Sequence, residues 1–145
     1  MNKKELSARL AGDGSLGRQI SLHRLGFGAM RFTGEGIWGP PKDRNKALAV
    51  LRRAAELDIN FIDTGDSYGP HVSEELIAET LCPYPAGVVI ATKGGWNRPG
   101  ANQWTDVATP AHLRKPLEER LKRLRLDRID VYQLHIPDPL VPIDT

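Results

Sequence analysis

Four short apolar runs alternate with three segments of helical spacing, and few folds satisfy that order. The runs are Leu25 to Met30, Asn60 to Asp63, Val88 to Lys93 and Ile129 to His135. Between them, Leu48, Leu51 and Ala55 share one face of a helix predicted over 43–57, a second helix is predicted over 72–81, and Leu113, Leu117, Leu121 and Leu124 mark a third over 110–125. Strand, loop and helix repeated in this way predict parallel βαβ units, hence the α/β class. Right-handed crossovers cover such a sheet with helices, so its strands should be mostly apolar, as Val88-Val-Ile-Ala is. Ahead of the first unit, residues 7–23 read as a hairpin, with Leu10 and Ala11 on one arm, Ile20 and Leu22 on the other, and Gly12-Asp-Gly-Ser as the turn.

Bulk composition narrows the partners. At 145 residues, with 40% apolar and 26% charged side chains, the chain is long enough to bury one core. Its 20 Lys and Arg against 18 Asp and Glu leave a charge of +2, too near balance to point to nucleic acid or an anionic membrane. The single Cys82 closes no internal disulfide and fits a reducing, cytoplasmic setting. No stretch approaches about 18 consecutive apolar residues, and the basic start Met1-Asn-Lys-Lys-Glu-Leu6 lacks the apolar centre of a signal peptide. Neither a membrane span nor export is expected, and no Cys and His spacing suggests a metal site.

Three of the predicted strands end on ionisable residues, Asp63, Lys93 and His135, and Tyr68 follows Asp63 in the next loop. In a parallel α/β sheet, ligands gather beyond the carboxyl ends of the strands, so these groups stand where chemistry is done. Period-two alternation puts Lys93 on the face of Val89 and Ala91, and His135 on the face of Val131 and Gln133, so both can aim inward. A phenol with its ordinary pKa of about 10 exchanges protons poorly at neutral pH, and a nearby ammonium favours its ionised form. A carboxylate paired with that ammonium would hold it in place, and an imidazole can donate to a carbonyl oxygen as charge develops on it. The four groups together suit carbonyl reduction or its reverse. Taken singly, each has an ordinary role: the acid as a turn former, the tyrosine as packing, the histidine as a satisfied structural group.

The phrases Leu25-Gly-Phe-Gly-Ala-Met30, Asn60-Phe-Ile-Asp-Thr-Gly-Asp-Ser-Tyr-Gly69, Ala91-Thr-Lys93 and Asp130-Val-Tyr-Gln-Leu-His-Ile-Pro-Asp138 resemble, in that order, those of the aldo-keto reductase superfamily. The resemblance implies a (β/α)8 TIM barrel and NADPH-dependent reduction of a small-molecule aldehyde or ketone. It implies that Tyr68 is the general acid, that Lys93 tunes it, that Asp63 pairs with Lys93, and that His135 orients the carbonyl. It also implies that Ala29, Met30 and Asp63 lie beside the nicotinamide and its ribose. Trp38, Trp96 and Trp104 all follow strands, and of these Trp38 and Trp96 are the candidates for an apolar substrate pocket.

Such a barrel needs about 250 residues, so this chain covers an N-terminal hairpin and the first four βα units, about half of one barrel domain. The phosphate-binding loops of the family belong to the later strands. A four-stranded sheet leaves unpaired edges that invite another copy or a missing C-terminal half, and a non-catalytic fragment or cofactor-sensing subunit is the alternative reading. A third is a Rossmann-type domain, since Gly34-Glu-Gly-Ile-Trp-Gly39 satisfies G-x-G-x-x-G. That loop runs into Pro40-Pro41 and leaves Tyr68, Lys93 and His135 without a role.

Three local features remain. The third helix carries seven Lys or Arg between 114 and 128, read as a solvated outer face because no aromatic residues interleave them. Pro116 lies well inside that helix, at a cost of ~3 kcal/mol unless the helix bends or starts late. Asp58 stands at a helix-to-strand turn that calls for a left-handed conformation.

Overall fold

The computed structural model describes residues 6–142, so the basic start and the last three residues of the Pro-rich end lie outside the described residues. Its centre is a four-stranded, wholly parallel sheet formed by β3 (Phe27–Gly28), β4 (Phe61–Asp63), β5 (Val89–Gly94) and β8 (Val131–Leu134), in that order. The register sets Phe27 beside Ile62, Ile62 beside Ile90, and Thr92 beside Tyr132. Because side chains alternate along a strand, Phe27, Ile62 and Ile90 point together to one face, and Gly28, Asp63 and Ala91 to the other.

The first face receives the helices. In α1 (Arg44–Glu56), Ala47, Leu48, Leu51 and Ala54 form a buried stripe at helical spacing. Asp43 opens this helix by accepting the amide of Lys46 at 2.9 Å. Leu48 and Leu51 join Ile62, Ile90, Leu76, Ile77 and Leu81 in the main core, the last three from α2 (Val72–Leu81). At the end of α1, Asp58 takes φ of 58°, the left-handed conformation its place in the turn called for. The third helix, α3 (Pro110–Leu124), starts at the cap of Thr109 and runs straight through Pro116, so it does not start late to avoid the proline.

Two hairpins flank this unit. The first pairs β1 (Asp13–Leu16) with β2 (Ile20–His23), and its turn is at 17–19 instead of at Gly12-Asp-Gly-Ser. Of the glycines on offer, Gly17 takes the positive φ of 59° in the turn, while Gly12 at 81° ends a 3-10 turn over Ala8–Ala11. Leu10 and Ala11 therefore lie outside the hairpin arms. The second hairpin, β6 (Trp96–Gly100) with β7 (Gln103–Asp106), was not expected from the sequence. It grows directly from the carboxyl end of β5 and turns at Asn102, which adopts φ of 56°.

The basic face of α3 is not wholly solvated. Five of its seven cations are exposed, but Arg120 is 1% exposed and Arg123 is largely buried. Both turn inward to carboxylates: Arg120 meets Asp66 and the phenol of Tyr132, and Arg123 donates from Nε to Glu74 at 2.8 Å. Glu74 is fully buried and also accepts from Thr92 at 2.7 Å, so a polar layer joins α2, α3 and β5. Buried carboxylates are costly without a partner charge, and these two arginines supply it. His71, at the N-terminal edge of α2, borders this layer, and burial, then the charge of Arg123, draws its imidazole below the ordinary 6.5.

Two measurements test this layer. Arg120→Met strands the buried carboxylate of Asp66 and should lower the unfolding free energy by about 3–5 kcal/mol in urea melts. A loss below about 1 kcal/mol would show that the pair contributes no more than a surface bridge. For His71, the folded state binds fewer protons than the unfolded state below pH 6.5, so stability is full above that pH and falls as acid is added, levelling off below the folded value. His71→Asn, which keeps a residue tolerant of φ at 71°, should flatten this part of the pH dependence of the urea midpoint. An unchanged slope would rule out His71 as its source.

Candidate active site

Asp63 and Lys93 are delivered by the carboxyl ends of β4 and β5, and His135 follows β8 directly. Neighbouring parallel strands end side by side, so residues far apart in sequence arrive at one rim. Lys93 sits at its centre. Its ammonium donates to Asp63 Oδ2 at 2.5 Å, to the Thr64 carbonyl at 2.9 Å and to the Tyr68 hydroxyl at 3.2 Å, which uses all three of its protons. The lysine side chain is 13% exposed, so the pair with Asp63 is shielded on the lysine side while the carboxylate, at 34%, still meets solvent.

Tyr68 is buried to 5% exposure, and its loop leaves it little freedom. Its amide donates to Gly65 at 3.1 Å, its carbonyl accepts from Ser73 at 3.2 Å, and Gly69 bonds across to Ile37 and Gly39. Gly69 has φ of 109°, and a Cβ there would collide with the side chain of Val72, so only glycine lets the loop turn into α2. Beneath, Thr64 and Ser73 share a hydrogen bond of 2.9 Å, and Ser73 donates to the Ala29 carbonyl at 3.0 Å.

His135 meets Tyr68 edge to face, with ring centroids 5.6 Å apart, and its Nδ1 lies 3.5 Å from the Ser67 hydroxyl. Burial, then the charge of Lys93, pulls its imidazole below 6.5 and keeps it neutral at physiological pH. A neutral ring holds one N–H, and a bond from Nδ1 to Ser67 leaves Nε2 to act on a ligand. The four expected groups, Asp63, Tyr68, Lys93 and His135, thus share one rim.

The other expected residues divide. Trp96 stands edge-on to His135 at 6.2 Å and so borders the rim. Trp38 lies further off, its ring against the Arg98 guanidinium at 5.6 Å and its backbone bridged to Gly69. Met30 is half-buried two residues beyond β3, whereas Ala29 is 1% exposed within the core. Beside Asp63 on the inner face it is Gly28 that leaves room, since a Cβ there would meet nothing within 4 Å. The loop Gly34 to Gly39 follows no strand directly and opens a single 3-10 turn, Glu35–Ile37, so it does not form a dinucleotide-binding helix start.

Several site residues escaped the sequence. Ser67 adjoins both Tyr68 and His135, Asp66 anchors their loop to Arg120, and Trp104 packs on Trp96 at 5.3 Å. Arg98, two residues beyond Trp96 and so on the same strand face, reaches the Ser67 carbonyl at 2.7 Å.

Among the described residues no helix is long and apolar enough to cross a membrane, and no cluster of three metal-binding side chains is present. The sequence model of the aldo/keto reductase family matches residues 24–145. An uncharacterized oxidoreductase of Schizosaccharomyces pombe is 50% identical over 137 residues, which cover 94% of this chain and 44% of that protein. Pyridoxine 4-dehydrogenase of Escherichia coli is 45% identical over 116 residues, 80% of this chain and 41% of the enzyme. Among solved structures, a glycerol dehydrogenase from Gluconobacter oxydans superimposes with a TM-score of 0.78 at 33% identity, covering 91% of this chain and 41% of that one. The chain therefore spans less than half the length of each of these three relatives. It belongs to the aldo/keto reductase family, and its parallel sheet is part of that family's (β/α)8 barrel.

Proposed function

We propose that this chain is the N-terminal half of a single barrel domain that reduces aldehydes or ketones with NADPH, and that it carries the proton-transfer residues of that reaction. The observation that carries the reading is the Lys93 ammonium, placed between the Asp63 carboxylate and the Tyr68 hydroxyl. A nicotinamide cofactor would supply the hydride, and Gly28, Met30 and Asp63 are the residues that would hold its ring end. Tyr68 gives its proton to the carbonyl oxygen as negative charge gathers there, and Lys93 stabilises the phenolate left behind. Asp63 keeps Lys93 from swinging away, and the neutral His135 donates to the same oxygen.

The substrate is a small-molecule carbonyl compound. Trp96 supports an apolar wall for it, because its ring stands edge-on to His135, and Trp104 backs that ring. Trp38 serves the same mouth through the hairpin against which it packs. The edge strand Val131–Leu134, with Leu134 46% exposed and Leu140 91% exposed just beyond it, supports pairing with the C-terminal half of the barrel. The one free cysteine, Cys82, supports a cytoplasmic setting.

Titration of NADPH by nucleotide fluorescence, with the chain alone and with a reconstructed C-terminal half, tests the reading. Affinity and carbonyl reduction should appear only on assembly, and tight binding by the chain alone would refute the half-barrel view. In the assembled form, Tyr68→Phe should cut kcat by roughly 10²–10⁴-fold with cofactor affinity nearly unchanged. Lys93→Met should have an effect of the same order, and full turnover in either variant would remove that residue from the reaction.

A further inference from the structure

Arg98 is a buried cation with an unusual set of partners. It is 8% exposed, yet among the described residues no carboxylate pairs with it. Its donors go to backbone carbonyls instead: Nη1 to Ser67 at 2.7 Å, Nη2 to Gly36 at 3.0 Å and to Gly100 at 3.5 Å, and Nε to Gln103 at 2.9 Å. The guanidinium also lies 3.5 Å from the centre of the Trp104 ring and 5.6 Å from that of Trp38. Burying a charge without a counter-ion is costly, and here four carbonyl dipoles and two indole faces offset that cost. Loss of water still draws its pKa down.

The carbonyls come from separate places. Gly36 lies in the loop after β3, Ser67 in the loop after β4, and Gly100 and Gln103 on the hairpin after β5. A planar fork with donors along three edges suits this task, whereas a single ammonium does not. Ser67 is the residue before Tyr68, and its hydroxyl faces His135. We infer that Arg98 is a positioning residue: by tying the three loops beyond β3, β4 and β5 into one body, it fixes Ser67, and through Ser67 it sets Tyr68 over Lys93 and keeps His135 in register. The inference rests on the reductase reading only for its catalytic consequence, because the clamp itself is measurable without turnover.

The test compares wild type, Arg98→Met and Arg98→Lys in this 145-residue chain. Hydrogen exchange should accelerate about tenfold or more in Arg98→Met at the amides of Tyr68, Gly69 and Gly39, with the sheet amides of Thr64 and Val89 unchanged. The NMR contact between the Tyr68 ring and the Lys93 side chain should weaken while that between Lys93 and Asp63 persists. Arg98→Lys keeps the charge but not the fork and should behave like Arg98→Met. Should Arg98→Met fail to fold, Arg98→Lys carries the same comparison.

Unchanged protection around Tyr68, or full rescue by lysine, overturns the clamp. Loss of sheet protection in both variants would assign Arg98 to global stability and likewise overturn it. In the assembled protein both variants should lower kcat more than they raise KM. Absence of any reduction by wild type would refute the proposed activity while leaving the exchange result to judge Arg98.

Discussion

The site depends on keeping one ammonium charged and still in a half-enclosed place. Lys93 is largely shielded, so its three protons need fixed acceptors, and β4 with its loop provides all of them: Asp63, Thr64 and Tyr68. The pairing register sets this up, because Asp63 lies opposite Ala91 and Lys93 is the next residue on the same face of β5. A register slip of one residue would turn Lys93 towards the helices and leave a charge in the apolar layer of Ile62 and Ile90. Register and chemistry thus select each other.

Behind the rim, charge does a different job. Arg120 and Arg123 pass from α3 to acids on the loop after β4 and on α2. Buried ion pairs contribute little net stability beside well-packed apolar groups, but a wrong pairing leaves two stranded charges, so they discriminate strongly among helix placements. The Tyr68 loop is therefore held on two sides: Asp66 by Arg120 below, Ser67 by Arg98 above.

Much of this was legible in the sequence and some was not. The strands were, because they are short apolar runs, three of which break the pattern at their last residue with an ionisable group, and the three helices matched to within a residue or two. Asp63, Lys93 and His135 were singled out at those breaks and Tyr68 in the loop after the first of them, and the structure brings the four to one rim. Arg120 and Arg123 were misread because an arginine at helical spacing looks solvated, and their acids lie 54 and 49 residues earlier, beyond any local pattern. The second hairpin was hidden by Pro99 inside a short arm and by a turn that uses Asn102 in place of a glycine. In the first hairpin the turn was assigned to Gly12-Asp-Gly-Ser because that run is rich in turn residues, whereas Gly17 takes it.

The hairpin Trp96 to Asp106 has a lasting consequence for how such a fold diversifies. It hangs from the end of β5 and makes its ladder with itself alone, so its tip can lengthen, shorten or change side chains without disturbing the barrel's strand pairing. The same segment carries both the indole rings that border the rim and, in Arg98, an anchor for the Tyr68 loop. Divergence can thus remodel the wall freely at Trp96 and Trp104 only so long as one internal residue of the cassette is inherited intact.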